Sequence, residues 1–104
     1  MEPLPELLRH AALLREQTQT ALADFLSTDI DLGYTFLELA RTTSDRDHAN
    51  GLVGRTRTAV AAVRRLAEGV VDQDTRKEIN DRVDALEAAV NAFPPTDGRR
   101  SVSI

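Results

Sequence analysis

The sequence predicts an all-α protein, an antiparallel bundle of about four helices with a flexible C-terminal tail, and three observations carry that reading. Apolar residues recur at three- and four-residue spacing from Leu7 to Phe93, the period of one helix face. Aromatic residues are only 4% of the chain, so its apolar complement is mostly Leu, Ala and Val, a balance that favours helices over strands. The pattern is interrupted by short clusters of Ser, Thr, Asp and Gly that read as caps and turns. At 104 residues the chain is the size of one domain, placed here at residues 1–95, with residues 96–104 as the tail.

Pro5 suits the first turn of a first helix, where its missing N–H costs nothing. Leu7, Leu8, Ala11, Leu14, Ala21, Leu22 and Phe25 then form one continuous face. Thr18 stands within that stripe, where its hydroxyl can bond the carbonyl one turn earlier, and Leu13 projects to the other side. The run Ser27-Thr28-Asp29-Ile30-Asp31 offers hydroxyl caps followed by acids, the signature of a helix amino terminus. A turn is therefore expected near residues 26–28, with a second helix from about Asp29 to Thr42.

Ser44, answered by Asp47 in a weak form of the capping box, opens a third helix from about Asp45 to Gly69. Its stripe includes Leu52, Thr56, Val60, Val63 and Ala67. Gly51 and Gly54 weaken its first turns by about 1 kcal/mol each relative to alanine, so this end is expected to fray or to pack closely on a neighbour. A fourth helix begins at Asp72 or Asp74 and shows Ile79, Val83, Leu86, Val90 and Phe93 on one face before Pro94-Pro95 ends it. Thr96 to Ile104 has no helical period and reads as flexible. Neither an internal repeat nor a low-complexity tract is present.

Composition excludes several classes of function. Without cysteine there are no disulfides, thiolate metal sites or cysteine nucleophiles. The start Met1-Glu2-Pro3-Leu4-Pro5-Glu6 places acids and prolines where a secretory signal needs a basic start and a long apolar run, and no stretch approaches the roughly 20 apolar residues of a membrane span. A cytoplasmic protein with no membrane partner is expected. The net charge of −4 argues against nucleic-acid binding, which is built from clustered Lys and Arg.

The second expected helix is apolar on two sides. Ile30, Gly33, Tyr34 and Leu37 form one face, and Leu32, Phe36, Leu39 and Ala40 the other, leaving a narrow polar seam of Asp31, Thr35, Glu38 and Thr42. Such a helix must be covered on both sides, by its own bundle or by another chain.

The run from Phe25 through Ala40, with its "Phe-Leu-x-Thr-Asp" start leading into Thr35-Phe36-Leu37, is followed by His48-Ala49 at the opening of the next helix. It resembles short uncharacterised bacterial all-helical proteins with the same pattern over about the middle half of the chain. The resemblance implies a helix-pair fold and brings no known activity. A helix hairpin also invites comparison with tetratricopeptide repeats, but one unit does not make a stack, and Tyr34 follows Gly33 directly where that motif spaces them.

The two histidines are the candidates for acid–base or nucleophilic work at neutral pH. Histidine phosphotransfer domains resemble this chain in size, acidity and four-helix shape, but carry an exposed mid-helix His with Lys and Gly close behind. Here His48 precedes Ala49-Asn50-Gly51 in a first turn, and His10 precedes Ala11-Ala12-Leu13-Leu14. Glu6 with His10, and Asp45 with His48, share helix faces at ligand spacing, yet the acidic set and paired Glu-x-x-His of a di-iron bundle are missing, so no metal or cofactor is expected. There is no phosphate-cradling glycine loop and no Gly-x-Ser-x-Gly elbow.

Arg55, Arg57, Arg64 and Arg65 on the third helix stand against Asp72, Asp74, Glu78, Asp81, Asp84 and Glu87 on the fourth. This reads first as pairing between helices, and alternatively as a docking site at Arg57 and Arg64 for an acidic partner. The basic end Arg99-Arg100-Ser101-Val102-Ser103-Ile104 reads as a disordered tail or a peptide handle. Together these features point to a non-enzymatic protein-interaction or oligomerisation module. Its partner-binding residues are Leu32, Phe36, Leu39, Arg57 and Arg64, and its simplest partner is a two-fold copy of itself. The alternative is a divergent phosphotransfer protein using His48 or His10.

Overall fold

The computed structural model describes the backbone from residue 3 to residue 93 and the side chains from residue 6 onward. Among these residues there are three helices, α1 (Pro3–Thr42), α2 (Arg46–Ala67) and α3 (Gln73–Asn91), and no strand. Short connections make consecutive helices antiparallel, and each helix packs on the other two. The all-α class stands, but the turn expected near residues 26–28 is absent and the first two expected helices are one rod of 40 residues, about 60 Å long. Pro94, Pro95 and the expected tail at 96–104 lie outside the described residues.

The rod is continuous for an energetic reason. Ser27, Thr28 and Asp29 lower helix propensity by no more than about 0.7 kcal/mol each. Leu26 and Ile30, on either side of them, are fully buried, which stabilises by roughly 1.5–3 kcal/mol apiece. Both reach the same core only if the helical period runs through the segment unbroken. No Gly or Pro opposes this between Glu6 and Leu32. Thr18, Thr20 and Thr35 satisfy their hydroxyls on the carbonyls of Leu14, Glu16 and Asp31, at 2.9, 3.0 and 3.1 Å, the back-bond expected at Thr18.

The other two boundaries fall where the sequence places them. Asp45, rather than Ser44, caps α2, its extended backbone (φ −87°, ψ 113°) letting the carboxylate accept from the His48 N–H at 3.1 Å. A carboxylate is the better acceptor at the positive end of a helix, while Thr43 Oγ1 accepts from the Asp45 N–H to shape the turn. Asp72 caps α3, accepting from the Thr75 N–H at 2.9 Å and the Thr75 hydroxyl at 2.6 Å.

The core lies where α2 and α3 flank the second half of α1. Leu26, Ile30 and Leu37 of α1 meet Val60 and Val63 of α2 and Ile79, Val83, Leu86 and Val90 of α3. A smaller cluster of Ala40, Ala49 and Leu52, flanked by Phe36 and Phe93, closes one end. At mid-height a Cβ on Gly33 would stand 2.7 Å from Leu86 Cδ2 and 3.5 Å from Thr56 Cγ2, so the three helices converge on a bare backbone. Thr56 is fully buried there; its hydroxyl donates to Leu52 O at 2.9 Å and lies 3.4 Å from Gly33 O. Gly51 and Gly54, by contrast, face open space, so the close packing considered for them occurs at Gly33 instead.

The first-half stripe is not part of this core. Leu7, Leu8 and Leu14 are 63, 61 and 53% exposed, because α2 and α3, with 22 and 19 residues, span only about 33 and 29 Å of the 60 Å rod; Phe25, 53% exposed, lies within the covered length but on the side of α1 that neither helix encloses. The covered part begins at Gln19, whose amide donates to Gly69 O at 3.0 Å and accepts from the Val71 N–H at 2.8 Å. From Glu6 to Thr18 every residue except half-buried Ala11 is exposed.

Two predictions test this packing. In urea denaturation Leu86→Ala costs about 2–5 kcal/mol, whereas Arg55→Ala stays within about 0.5 kcal/mol. Gly33→Ala is better tolerated in the Leu86→Ala background than alone, because its methyl then enters the vacated volume; equal effects in both backgrounds would refute the close approach. The Asp72 carboxyl is held below the usual carboxylate range, first by the Thr75 hydroxyl, then by its N–H and the charge of Arg76. Since its folded pKa lies below the unfolded one, its contribution is complete above about pH 4 and is lost as pH falls through the folded value. Asp72→Asn, which still caps but does not titrate, therefore loses less Tm on acidification than the natural chain.

Candidate functional site

α1 carries two apolar seams. One, through Leu22, Leu26, Ile30, Gly33, Leu37 and Ala40, enters the core, with Leu22 half-buried at its start. The other passes through Leu7, Leu14, Ala21, Phe25, Leu32 and Leu39, with Ala11, Thr18, Thr28 and Thr35 between them. Phe25, Leu32 and Leu39 each precede a core residue by one position, so the seams lie about 100° apart around the axis.

The large residues of the outer seam are all exposed, including Leu32 at 44% and Leu39 at 47%. Phe36 sits between the seams and is half-buried against Ala40, Ala49 and Leu52. The two expected faces are thus re-sorted: Ala40 joins Ile30, Gly33 and Leu37 in the interior, while Tyr34 is exposed. The core-facing direction falls between the two faces assigned from spacing, so it claims Ala40 from one and releases Tyr34 from the other.

Arg57 and Arg64 lie between α2 and α3. Arg64 reaches Asp84 at 2.8 Å and also pairs with Glu87, and its guanidinium pKa is raised by the hydrogen bonds to Glu87 and Asp84. Arg57 donates to Asn91 Oδ1 at 3.1 Å. The Arg64 contacts are pairing between helices of opposed charge, whereas Arg57 meets a neutral amide. Asp31 similarly ties α1 to Arg82 of α3 at 2.7 Å.

His10 is exposed in the first half of α1, and His48 is exposed in the first turn of α2, where its backbone N–H serves the Asp45 cap. Among the described residues no group of three His, Asp or Glu side chains gathers to hold a metal ion. One open depression runs along Glu16, Thr20 and Asp24 of α1, and a smaller one lies at Arg57, Val60, Glu87 and Val90. No helix among the described residues is long and apolar enough to cross a membrane.

Leu7, Leu14 and Phe25 were expected in the core and instead continue the surface of Leu32 and Leu39. Their signal is in the sequence: the 4,3 spacing from Leu7 to Leu39 passes through residues 27–29 without a change of phase, which a turn would cause. A double-mutant cycle of Arg64→Ala with Glu87→Ala gives a coupling below about 1 kcal/mol that shrinks further in salt, as exposed pairs do. A larger, salt-insensitive coupling would make Arg64 a determinant of stability. No protein-family model, curated protein or solved structure matches this chain.

Proposed function

We propose that this protein is a non-enzymatic self-association module whose working surface is the outer seam of α1. The observation that carries the reading is an uncovered apolar seam, with Leu32 and Leu39 on the packed half of the rod and Leu7 and Leu14 on the projecting half. Contiguous exposed apolar surface of this kind marks an interaction site.

Magnitudes favour the whole seam over its second half alone. A half-exposed Leu or Phe gains roughly half of the 1.5–3 kcal/mol for full burial, and a two-fold interface counts each residue twice. Leu32 and Leu39 together then supply about 3–6 kcal/mol, at the low end of the roughly 4–15 kcal/mol that association costs. Adding Leu7, Leu14 and Phe25 brings the sum to about 8–15 kcal/mol, which matches that cost before any polar contact is counted.

Sedimentation at micromolar concentration tests the reading: the natural chain is expected to run as a dimer, and Leu32→Glu or Leu39→Glu as a monomer of unchanged helicity. Phe36→Glu is a poorer probe, because Phe36 also packs on its own core. A natural chain that sediments as a monomer of 11.4 kDa overturns the proposal.

A further inference from the structure

We infer, resting on that self-association reading, that the second copy runs antiparallel, with Leu14 of one chain level with Leu32 of the other. The projecting arm of each protomer then lies along the packed half of its partner. Three features of the outer seam favour this arrangement.

The first is length. The arm from Leu7 to Ala21 and the stretch from Phe25 to Leu39 each span about 21 Å, so an antiparallel copy covers both without overhang. A parallel copy would set arm against arm and leave both arms projecting from the bodies. The paired seams, about 48 Å long and about 10 Å wide on each copy, bury on the order of 1,000 Å² in total, the scale at which specific interfaces begin.

The second is the match of side-chain size. With the two-fold axis at the level of Ala23, Leu7 meets Leu39 of the second copy, Leu14 meets Leu32, and Ala21 meets Phe25. Large residues face large ones, and the bulkiest, Phe25, faces the smallest. Thr18 falls opposite Thr28, so the hydroxyl-bearing positions share a layer. A parallel copy instead stacks Phe25 on Phe25 and Ala21 on Ala21, alternating crowding with a void.

The third is charge. On the edge beside α2 the same register sets Arg15 against Asp29 of the second copy. Asp29 is half-buried, and neither it nor Arg15 has a hydrogen bond or ion pair among the described residues. An arginine from the second chain would give that carboxylate a charge-assisted partner. Leu8, 61% exposed, falls about 3 Å along the axis from the level of half-buried Phe36 on that edge. The opposite edge brings Asp24 near its own copy, and this repulsion is screened because the edge is open to water.

The chain has no cysteine, so Thr42→Cys, exposed and beyond the last large residue of the seam, accepts a single spin label per protomer. In the antiparallel dimer of the full chain the two labels stand about 57 Å apart, and in a parallel dimer below about 20 Å. A long distance is the expected result. A short distance in a protein that sediments as a dimer overturns the register and leaves self-association standing, whereas a monomer overturns both. Leu14→Glu, in the arm, is expected to raise the dissociation constant at least tenfold, as Leu32→Glu does. A dimer weakened by Leu32→Glu and indifferent to Leu14→Glu would remove the arm from the interface and overturn the register.

Discussion

The structure depends on a mismatch of lengths: α1 has 40 residues, while α2 and α3 have 22 and 19. Two shorter helices folding back on a long one can cover only part of it, and Gln19 marks where cover starts by clamping the α2–α3 corner through Gly69 and Val71. Beyond that clamp the large apolar residues of the arm are exposed among the described residues. Within the covered half, two flanking helices enclose one side of α1, so a second apolar seam displaced by about 100° stays outside. Length thus exposes the arm, and the number of flanking helices exposes the seam of the covered half.

How closely the covered half packs is set by small residues and one buried hydroxyl. Gly33 lets Leu86 and Thr56 approach the α1 backbone, and Ala40 and Ala49 do the same at the end of the bundle. Thr56 adds a polar group to this dry junction, tolerated because the Leu52 carbonyl accepts its proton within the same helix. The ion pairs that link the helices, Arg64 with Asp84 and Glu87, and Arg82 with Asp31, are more than a third exposed on at least one partner. They help to set which faces meet more than how stably they meet.

Much of this was legible in the sequence, and what was not has physical causes. The buried sets of α2 and α3 were readable because clear caps bound each helix and its core face is a single stripe; Leu52, Val60, Val63, Ile79, Val83 and Leu86 all lie where their spacing puts them. The false boundary at Ser27-Thr28-Asp29 came from a cap signal that is purely local, while its outcome was decided by Leu26 and Ile30 entering a core built by helices 30 to 60 residues away. Ser44 lost the cap to its neighbour Asp45 for a comparably local reason, the stronger acceptor. The role of Gly33 could not be read at all, since it depends on Leu86 of α3 approaching from far along the chain. Of the site, Leu32 and Leu39 were legible as surplus apolar surface. Leu7, Leu14 and Phe25 were hidden by the supposed turn, which cut one seam into two.

The same length mismatch links the order of the arm to its proposed pairing. An isolated helix of about 12–15 residues is marginal in water, because its stability normally comes from packing an apolar face. The arm from Glu6 to Thr18 is of that size, is exposed throughout apart from Ala11 among the described residues, and is carried by its continuity with the packed half of α1. In the proposed dimer the second copy would bury Leu7 and Leu14 and add tertiary support to the arm. Threonine and alanine between the large residues limit how much apolar surface the arm shows when uncovered, and the back-bonded hydroxyl of Thr18 keeps that seam position satisfied in either state. The outer seam is thus a run of large apolar residues interrupted by threonine and alanine, a balance that suits the reversible assembly proposed for it better than a misplaced piece of core.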